Sequence, residues 1–343
     1  MVAAATPPHA GPSIETLEAL LDVTYTWGYQ DTREKLRDLY DKAVRAQWIA
    51  DDVLPWKTDV DLERPMGPEN LMPLFGSDIY NKMTEKERKA INIETFSWTL
   101  SQFLHGEQGA LLATAQLVDT VQDLDSKLYA ASQVVDEARH VDVYNRYVHQ
   151  KIGFSYQINS HLKTLLDMIL KDSRWDMKFL GMQIMVEGLA LAAFGMIRQN
   201  TQEPLLKDLT AYVMGDEARH VAFGVLSLRD YYRDQPENVR REREDFVFEA
   251  ARLMRDRFLF QEVWEKTGLP TKQCMEIALH SQAQQLFRQL LFAKIVPAIK
   301  KMDLLSDRQR ERFKDLGILQ FENWEDPLAA LSQSPSGATS ARL

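Results

Sequence analysis

The sequence contains few of the residues that build cross-linked or loop-rich proteins. Cys274 is the single cysteine among 343 residues, so no intramolecular disulfide can form, and such cysteine usage fits a reducing cytoplasm. Glycine and proline number only 15 and 13, and no segment shows strand-like alternation flanked by turn residues. The sequence therefore predicts an all-α protein.

Basic patches and nucleotide-binding glycine motifs are also lacking. The net charge is −9 and the pI about 5.4, with no lysine and arginine cluster, which argues against a nucleic-acid partner. Residues 1–14 have neither the positive start nor the long apolar core of a signal peptide, so we expect a cytoplasmic protein. Because no flavin or nicotinamide fingerprint is present, electrons for a redox reaction would come from outside.

One stretch has nearly the length and composition of a membrane span. Residues 179–197 contain a single charged residue, Glu187, and a spanning helix needs about 20 apolar residues. An unpaired carboxylate at the middle of such a helix would be costly in lipid. The run is therefore predicted to be no membrane span but a helix buried on all sides within a helical bundle.

The rest of the chain follows helical spacing. Helices are predicted over about 14–50, 85–121, 126–151, 162–170, 174–200, 205–234, 237–267 and 271–302. Thr84 and Glu87 form a capping box at the start of the second helix, and Pro297 is expected to kink the end of the last. Residues 1–14 and 326–343 are expected to be disordered, and 15–325 to form one domain with the functional helices within 85–234.

One pentapeptide, Asp-Glu-Ala-Arg-His, occurs twice, at 136–140 and 216–220. A lone glutamate precedes each copy of the pentapeptide. The number of residues between this glutamate and the glutamate within the pentapeptide is the same in both cases, so the whole set is repeated along the chain. The set comprises Glu107, Glu137, His140, Glu187, Glu217 and His220. Positions i and i+3 share a helix face, so the glutamate and histidine of each copy project together.

This set has the composition of a dinuclear metal site. One glutamate from each of two helices, and Glu-x-x-His from each of two others, is the ligand pattern of ferritin-like carboxylate proteins. Four buried carboxylates would repel and retain protons, whereas two divalent cations cancel their charge. Oxygen ligands with two imidazoles suit iron or manganese better than structural zinc. Asp136 and Asp216 are placed to hold the histidines by their free N–H groups.

A surface role is the alternative, since a single Glu-x-x-His motif is more often solvated than metal-bound. Two identical copies of the pentapeptide, each with a glutamate at the same distance upstream, are far more specific. The glutamate at 187 lies within an apolar run that leaves it no exposed face. The metal site is therefore the favoured interpretation.

These motifs, within about 85–234, resemble the ferritin-like di-iron carboxylate superfamily. That superfamily includes multicomponent monooxygenase hydroxylases, acyl carrier protein desaturases, ribonucleotide reductase small subunits and N-oxygenases. The resemblance implies a ferritin-like four-helix bundle with flanking helices, two iron ions (or manganese with iron), O2 as co-substrate and a homodimer. It implies that Glu107, Glu137 and His140 hold one iron, that Glu187, Glu217 and His220 hold the other, and that Glu137 and Glu217 bridge them.

Three positions of this chain can be compared with residues that are characteristic of individual subgroups. The p-aminobenzoate N-oxygenases carry an extra histidine where this chain has Val213, which argues against that subgroup. The hydroxylases carry a threonine where this chain has Leu191. Tyr144 matches the radical tyrosine of ribonucleotide reductase small subunits, although a tyrosine there also fits an ordinary core or hydrogen-bonding role.

Side chains one or two helical turns from the ligands are predicted to line a substrate pocket. They are Ala110, Leu111, Thr114, Ala190, Leu191, Phe194 and Gly224. Small residues there would leave room for oxygen and an apolar substrate, although alanines that pack helices fit equally well.

Three functions remain open from the sequence. The first is an oxygen-activating di-iron oxygenase that hydroxylates or N-oxygenates a small or apolar substrate, with electrons from a ferredoxin or reductase. The second is a radical-generating or two-electron oxidase protein, similar to ribonucleotide reductase small subunits, that uses Tyr144. Iron storage is the third and is disfavoured, because 343 residues far exceed a minimal ferritin.

Overall fold

The computed structural model describes residues 14–64 and 66–324. The termini predicted to be disordered, 1–14 and 326–343, lie outside these ranges except for Ile14. Within the described residues all regular structure is helical and no strand occurs, which confirms the predicted all-α class. One continuous apolar core extends from Leu36 to Phe321, as a single domain requires, while the boundaries of that domain stay a prediction.

Fifteen α-helices are present in the described residues. They are α1 (Glu34–Arg45), α2 (Ala50–Val53), α3 (Asp78–Asn81), α4 (Glu85–Thr120), α5 (Leu124–Arg146), α6 (Ser160–Lys171), α7 (Trp175–Phe179), α8 (Glu187–Asn200), α9 (Pro204–Leu228), α10 (Glu237–Asp256), α11 (Gln261–Thr267), α12 (Thr271–His280), α13 (Gln282–Leu290), α14 (Ile295–Lys301) and α15 (Asp307–Asp315). Short 3₁₀ turns occur at Glu69–Leu71, Arg257–Leu259 and Leu319–Phe321, and π-helical stretches at Tyr147–Ile152 and Leu180–Val186.

Two helix pairs form the central bundle. Helix α4 packs along α5, and α8 packs along α9, while α1 lies against both α5 and α9. The predicted capping box is present at the start of α4: the Thr84 hydroxyl accepts from the N–H of Glu87, and the Glu87 carboxylate accepts from the N–H of Thr84. It satisfies N–H groups that a helix start leaves unpaired.

The apolar run is deeply buried within the bundle. Helix α7, the π-helical stretch and α8 form one helical segment, Trp175–Asn200, and 72% of its most apolar 18-residue window is buried inside the molecule. Every residue from 176 to 189 is buried. The π-helical turns end immediately before Glu187, and such turns are frequent at functional sites because they re-aim the side chains that follow.

The first predicted helix is shorter than its sequence pattern. Residues 14–33 form no helix, and Ile14 and Leu20 are exposed. Thr24 N–H donates to the Asp119 carbonyl oxygen (2.9 Å), and the Thr26 hydroxyl donates to the Gln122 carbonyl oxygen (2.6 Å). The segment therefore bonds to the last turn of α4 and to the residues that follow it, and tertiary contacts override its helical spacing.

The long helices predicted near the C-terminus are also divided. Helices α10 and α11 are separated at Phe260, whose φ of +55° is left-handed, and the predicted 271–302 helix is divided into α12, α13 and α14. The expectation that Pro297 kinks a helix end is wrong. Pro297 lies in the first turn of α14, where no backbone N–H is needed for a helical hydrogen bond.

Gly224 allows α9 to approach the π-helical stretch closely. A Cβ atom at Gly224 would lie 2.7 Å from the Cβ of Gln183 and 3.1 Å from the Cδ1 of Ile184. The first atom is next to the backbone and cannot rotate away, so the main chains themselves would have to separate.

We therefore expect Gly224→Ala to lower the free energy of unfolding by about 1–3 kcal/mol, the usual cost of overpacking a core. Urea denaturation of the metal-free protein measures this change. Gly215→Ala on the same helix is the matched control, since an added Cβ there meets no atom within 4 Å and should stabilise the helix by up to about 1 kcal/mol. Equal stability of the two variants would contradict the close approach.

Candidate metal centre

All six predicted ligand residues meet at the centre of the bundle. Glu107 comes from α4, Glu137 and His140 from α5, Glu187 from the first position of α8, and Glu217 and His220 from α9. None of the six is more than 5% exposed. Because both Glu-x-x-His motifs lie within uninterrupted α-helix, their side chains share a face, as the spacing predicts.

The ligand atoms form two overlapping groups. Those of Glu107, Glu137, His140 and Glu217 lie within 4.8 Å of one another, and so do those of Glu137, Glu187 and His220. Glu137 belongs to both groups. Glu217 also reaches both histidines, with oxygens 3.2 Å from His140 Nδ1 and 3.5 Å from His220 Nδ1. The arrangement therefore consists of two adjacent groups of possible ligand atoms that share Glu137, and Glu217 contacts the histidine of each group.

The buried polar atoms at the centre fit metal ions. Among the described residues, Oε2 of Glu137, Oε2 of Glu187, both carboxylate oxygens of Glu217 and Nδ1 of His220 are buried without a hydrogen-bond partner. Buried polar groups in this state are costly unless a cation or proton satisfies them. Carboxylate oxygens with imidazole nitrogens are a donor set that iron and manganese accept.

The electrostatics of the metal-free cluster agree with this fit. Burial, followed by the negative charge of Glu217, raises the pKa of Glu107 to about 8. Burial and the charges of Glu137 and Glu217 raise the pKa of Glu187 well above its usual range. For Glu137, burial acts in the same direction, but the charge of His220 and contact with His140 outweigh it and lower the pKa. Cations entering the site would displace protons that the cluster otherwise retains.

Two aspartates hold the outer nitrogens of the histidines, and they do so across the repeats. His140 Nε2 lies 3.1 Å from Oδ2 of Asp216, and His220 Nε2 lies 3.3 Å from Oδ2 of Asp136. Each aspartate therefore serves the histidine of the other pentapeptide. With Nε2–H donated outward, Nδ1 of each ring faces the carboxylates as the free ligand atom.

Four residues that the sequence analysis missed support these aspartates. Trp48 Nε1–H donates to Asp216 (2.7 Å), and Gln47 Nε2–H donates to Asp136 (2.7 Å). Both come from the segment between α1 and α2. Arg139 pairs with Asp136 and Arg219 with Asp216, and this contact was visible in the sequence, because each arginine follows its aspartate by three helical positions.

Gln133 and Gln183 were also missed, although both lie four positions before a ligand glutamate. Gln133 Nε2–H donates to Oε1 of Glu137 (2.9 Å) and to Oε1 of Glu187 (3.0 Å). Gln183 Nε2–H lies 3.5 Å from the same oxygen of Glu187. Both amides are buried, so they restrict these carboxylates to one orientation.

A narrow cavity adjoins the cluster between α4 and α8. About 20 Å³ of it is open to the centre of a water molecule. Its lining includes three of the predicted pocket residues, Ala110, Ala190 and Phe194, but not Leu111, Thr114, Leu191 or Gly224. The remaining lining residues, apart from the ligands Glu107, Glu187 and Glu217, are Gln102, Phe103, Gly106, Val186, Leu189, Met254 and Arg257.

Tyr144 lies behind this cavity and does not line it. Its ring stacks on Phe194, with centroids 5.7 Å apart, and its hydroxyl is buried without a hydrogen-bond partner. Burial, with the charge of Glu107 as the second cause, raises the pKa of Tyr144 well above its usual range. The phenol is therefore neutral and close to the cluster.

Comparison with known proteins identifies the family. Residues 29–303 match the family model described as p-aminobenzoate N-oxygenase AurF, whereas no curated protein sequence matches the chain. Two solved structures of R2-like ligand-binding oxidase with anaerobically reconstituted Mn/Fe cofactor, one of a valine-to-leucine and one of a tyrosine-to-phenylalanine variant, share its fold. For each, the TM-score is 0.50 and the identity 18%, covering 82% of this chain and 100% of the other.

The match also corrects one prediction. Val213, where an extra histidine was expected of N-oxygenases, is fully buried one helical turn before Glu217, and this apolar residue does not exclude the chain from that group. The family match extends over most of the chain, and the cluster fits a dinuclear iron site. The chain belongs to the p-aminobenzoate N-oxygenase AurF family of ferritin-like, oxygen-activating di-iron oxygenases.

Proposed function

We propose that this protein is a di-iron N-oxygenase of a small amine. Glu107, Glu137 and His140 would hold one iron, Glu187, Glu217 and His220 the other, and Glu137 and Glu217 would bridge them. The observation that carries this proposal is the buried cluster of unpartnered carboxylate oxygens with two imidazole nitrogens facing it. The family match supports an amine, rather than a C–H bond, as the group that is oxidised.

The reaction requires an outside supply of electrons. One oxygen atom of O2 enters the N–H bond to give a hydroxylamine, and the other leaves as water with two electrons and two protons consumed. When bound, the two metals would supply oxygen activation. A ferredoxin or a reductase is the proposed donor, because the sequence has no flavin or nicotinamide fingerprint. A manganese and iron pair is the alternative metal content, as in the R2-like ligand-binding oxidase structures.

The protein's own contribution is to fix the ligands and to exclude water. Gln133 orients two of the glutamates, and the crossed aspartates keep Nδ1 of each histidine directed inward. Ala110, Ala190 and Phe194 give the cavity an apolar wall that suits a small organic substrate. We further propose a cytoplasmic homodimer; the buried lone thiol of Cys274 is compatible with that compartment.

A radical role for Tyr144 is the second candidate function. Its hydroxyl is buried beside the cluster without a hydrogen-bond partner. Formation of a tyrosyl radical would require this hydroxyl to lose its proton, and no described group is placed to accept that proton. A buried hydroxyl without a partner is equally compatible with a tyrosine that only packs in the core. An experiment must therefore distinguish the radical role of Tyr144 from a packing role.

Anaerobic loading with ferrous iron should give two irons per chain, and reaction with O2, a reductant and 4-aminobenzoate should give the hydroxylamine. We expect Glu187→Gln to bind at most one iron and to lose at least about 100-fold in turnover, because it removes one ligand charge from the buried site. Metal analysis and mass spectrometry of the product measure both effects. Glu276→Gln, an exposed position on α12, is the control. Failure of the wild-type protein to bind iron would refute the proposal.

Asp216→Asn should weaken iron binding by about 10- to 100-fold, since the amide holds His140 less firmly than the carboxylate does. Competition with a coloured chelator measures this affinity. Asp208→Asn, an exposed position on the same helix, should leave it unchanged. If Asp216→Asn binds iron as tightly as the wild type, the contact to His140 has no role in the site.

Tyr144→Phe should keep most of the turnover, because the ring and its stacking on Phe194 remain when the hydroxyl is removed. Steady-state oxygen uptake, together with electron paramagnetic resonance after oxygen exposure, measures the result. A tyrosyl radical signal in the wild type that disappears in the variant together with all activity would favour the radical-generating role instead.

A further inference from the structure

The inward face of α5 carries polar side chains where a bundle helix usually carries apolar ones. Ser126, Tyr129 and Gln133, which we call the polar row, precede the ligand Glu137 at helical spacing, so the four side chains share one face. None of the four is more than 2% exposed. At about 1.5 Å per residue, the distance along the helix from Ser126 to Glu137 is about 16 Å. The polar row therefore connects the start of α5 with the metal centre.

The second repeat shows that helix packing does not require this polarity. Counted from the ligand glutamate of each repeat, the equivalent residues of α9 are Leu206, Leu209 and Val213, and all three are fully buried. Apolar side chains therefore serve at the same positions of the equivalent helix. Because burial of a polar group costs free energy unless it is hydrogen-bonded, the polar row indicates a role other than packing.

Three buried polar atoms at the inner end of the row have no partner among the described residues. They are the hydroxyl oxygen of Tyr129 and the Oε1 atoms of Gln133 and Gln183. Both amides contact the same oxygen of Glu187 through Nε2–H, at 3.0 and 3.5 Å, and Tyr129 lies one helical turn before Gln133. Burial raises the pKa of Tyr129, and the charge of His220 opposes this rise. A hydroxyl grouped with two carbonyl oxygens provides the partners that a buried water molecule binds.

The outer end of the row reaches a cavity between the start of α5 and the end of α9. About 310 Å³ of this cavity is open to the centre of a water molecule, and its lining includes Ser126, Ser227, Asp123 and Asp230. The Ser126 hydroxyl donates to Asp123 (2.7 Å), whereas the Ser227 hydroxyl is buried without a hydrogen bond. The side chain of Asp230 is 71% exposed, so bulk water reaches the cavity. Ser126 lies one helical turn before Tyr129, and the cavity and the phenol are therefore neighbours along one helix face.

We propose that the polar row conducts protons from this cavity to the metal centre. The inference rests on the proposed function, in which each O2 consumes two protons and two electrons. Ser126, Tyr129 and water bound between Tyr129 and Gln133 would relay the protons. Each hydroxyl or water accepts one proton and releases another, so that no residue changes its charge, and the electrons come separately from the external donor. The protons end in the water that leaves as the second product.

The cavity between α4 and α8 offers no comparable route. Its lining, as far as the structure describes it, contains no serine, threonine or tyrosine. Leu191, where the hydroxylases carry a threonine, is a buried apolar residue, and the ring of Tyr144 contacts the rings of Phe103 and Phe194. Protons and the amine would therefore reach the metal centre by different routes.

A crystal structure that resolves ordered water, of the protein with or without iron, tests the polar row independently of turnover. At least one water should lie within about 3.2 Å of the Tyr129 hydroxyl and of Oε1 of Gln133 or Gln183. A dry contact between these groups would overturn the proposal.

Steady-state oxygen uptake by the iron-loaded protein, with a reductant and no amine, tests proton conduction when it is measured in H2O and in D2O. Tyr129→Phe removes the hydroxyl but keeps the ring that packs on Phe223. We expect its uptake to fall at least about 10-fold at unchanged iron content, and its solvent isotope effect to rise, because proton delivery then limits the rate. Tyr147→Phe is the matched control: this tyrosine is also fully buried, but its hydroxyl donates to Glu203, so both quantities should stay as in the wild type.

Unchanged uptake and an unchanged isotope effect in folded, iron-loaded Tyr129→Phe would overturn the relay and leave the proposed function intact. If Tyr129→Phe does not fold, Ser126→Ala provides the same test at the outer end of the row, with the same expected direction of both effects and the same contradicting result. Failure of the wild type to bind iron would refute the proposed function instead, and the crystal structure would still decide whether the polar row binds water.

Discussion

The structure is organised by the need to bury four carboxylates at one point. Glu107, Glu137, Glu187 and Glu217 cannot all be ionised in an apolar bundle without cations between them, because each raises the proton affinity of the others. Around them the charge alternates outward: imidazoles contact the carboxylates, aspartates contact the imidazoles, and arginines contact the aspartates. The π-helical turns before Glu187 and the close helix contact at Gly224 are locally unfavourable. They are tolerated because they help the four helices to bring these carboxylates together.

The regularity of the α-helix explains what could be predicted from the sequence. Within one helix, a separation of three positions fixes which side chains share a face, so the Glu-x-x-His motifs alone located both histidines and two of the glutamates. Glu107 and Glu187 each precede their Glu-x-x-His motif by the same number of residues. This spacing could be interpreted because each of these glutamates lies on a helix antiparallel to the helix that carries its motif. The non-helical conformation of residues 14–33 was not predictable in this way, since their hydrogen bonds to residues at and just after the end of α4 depend on packing.

Contacts between distant segments limited the prediction of the site in the same way. The aspartates were recognised as histidine partners, but their exchange between the repeats depends on how α5 and α9 cross. Trp48 and Gln47 contact the aspartates from a segment far away along the chain, and no motif marks them. Arg257 likewise lines the cavity from beyond the repeats, and no motif marks it in the sequence.

The two repeats supply the same ligand residues but surround them with different side chains, so the two sides of the centre are not equivalent. Gln133 donates to Glu137, whereas the equivalent position of the second repeat is Val213, which donates nothing to Glu217. Both oxygens of Glu217 are therefore left without a hydrogen-bond donor among the described residues. Tyr144 and Gly224 are also equivalent positions: the tyrosine stacks on a wall residue of the cavity, and the glycine admits the π-helical turns. The cavity is lined by Glu217, so a substrate that entered it would meet the glutamate of the cluster that hydrogen bonds from the protein restrain least.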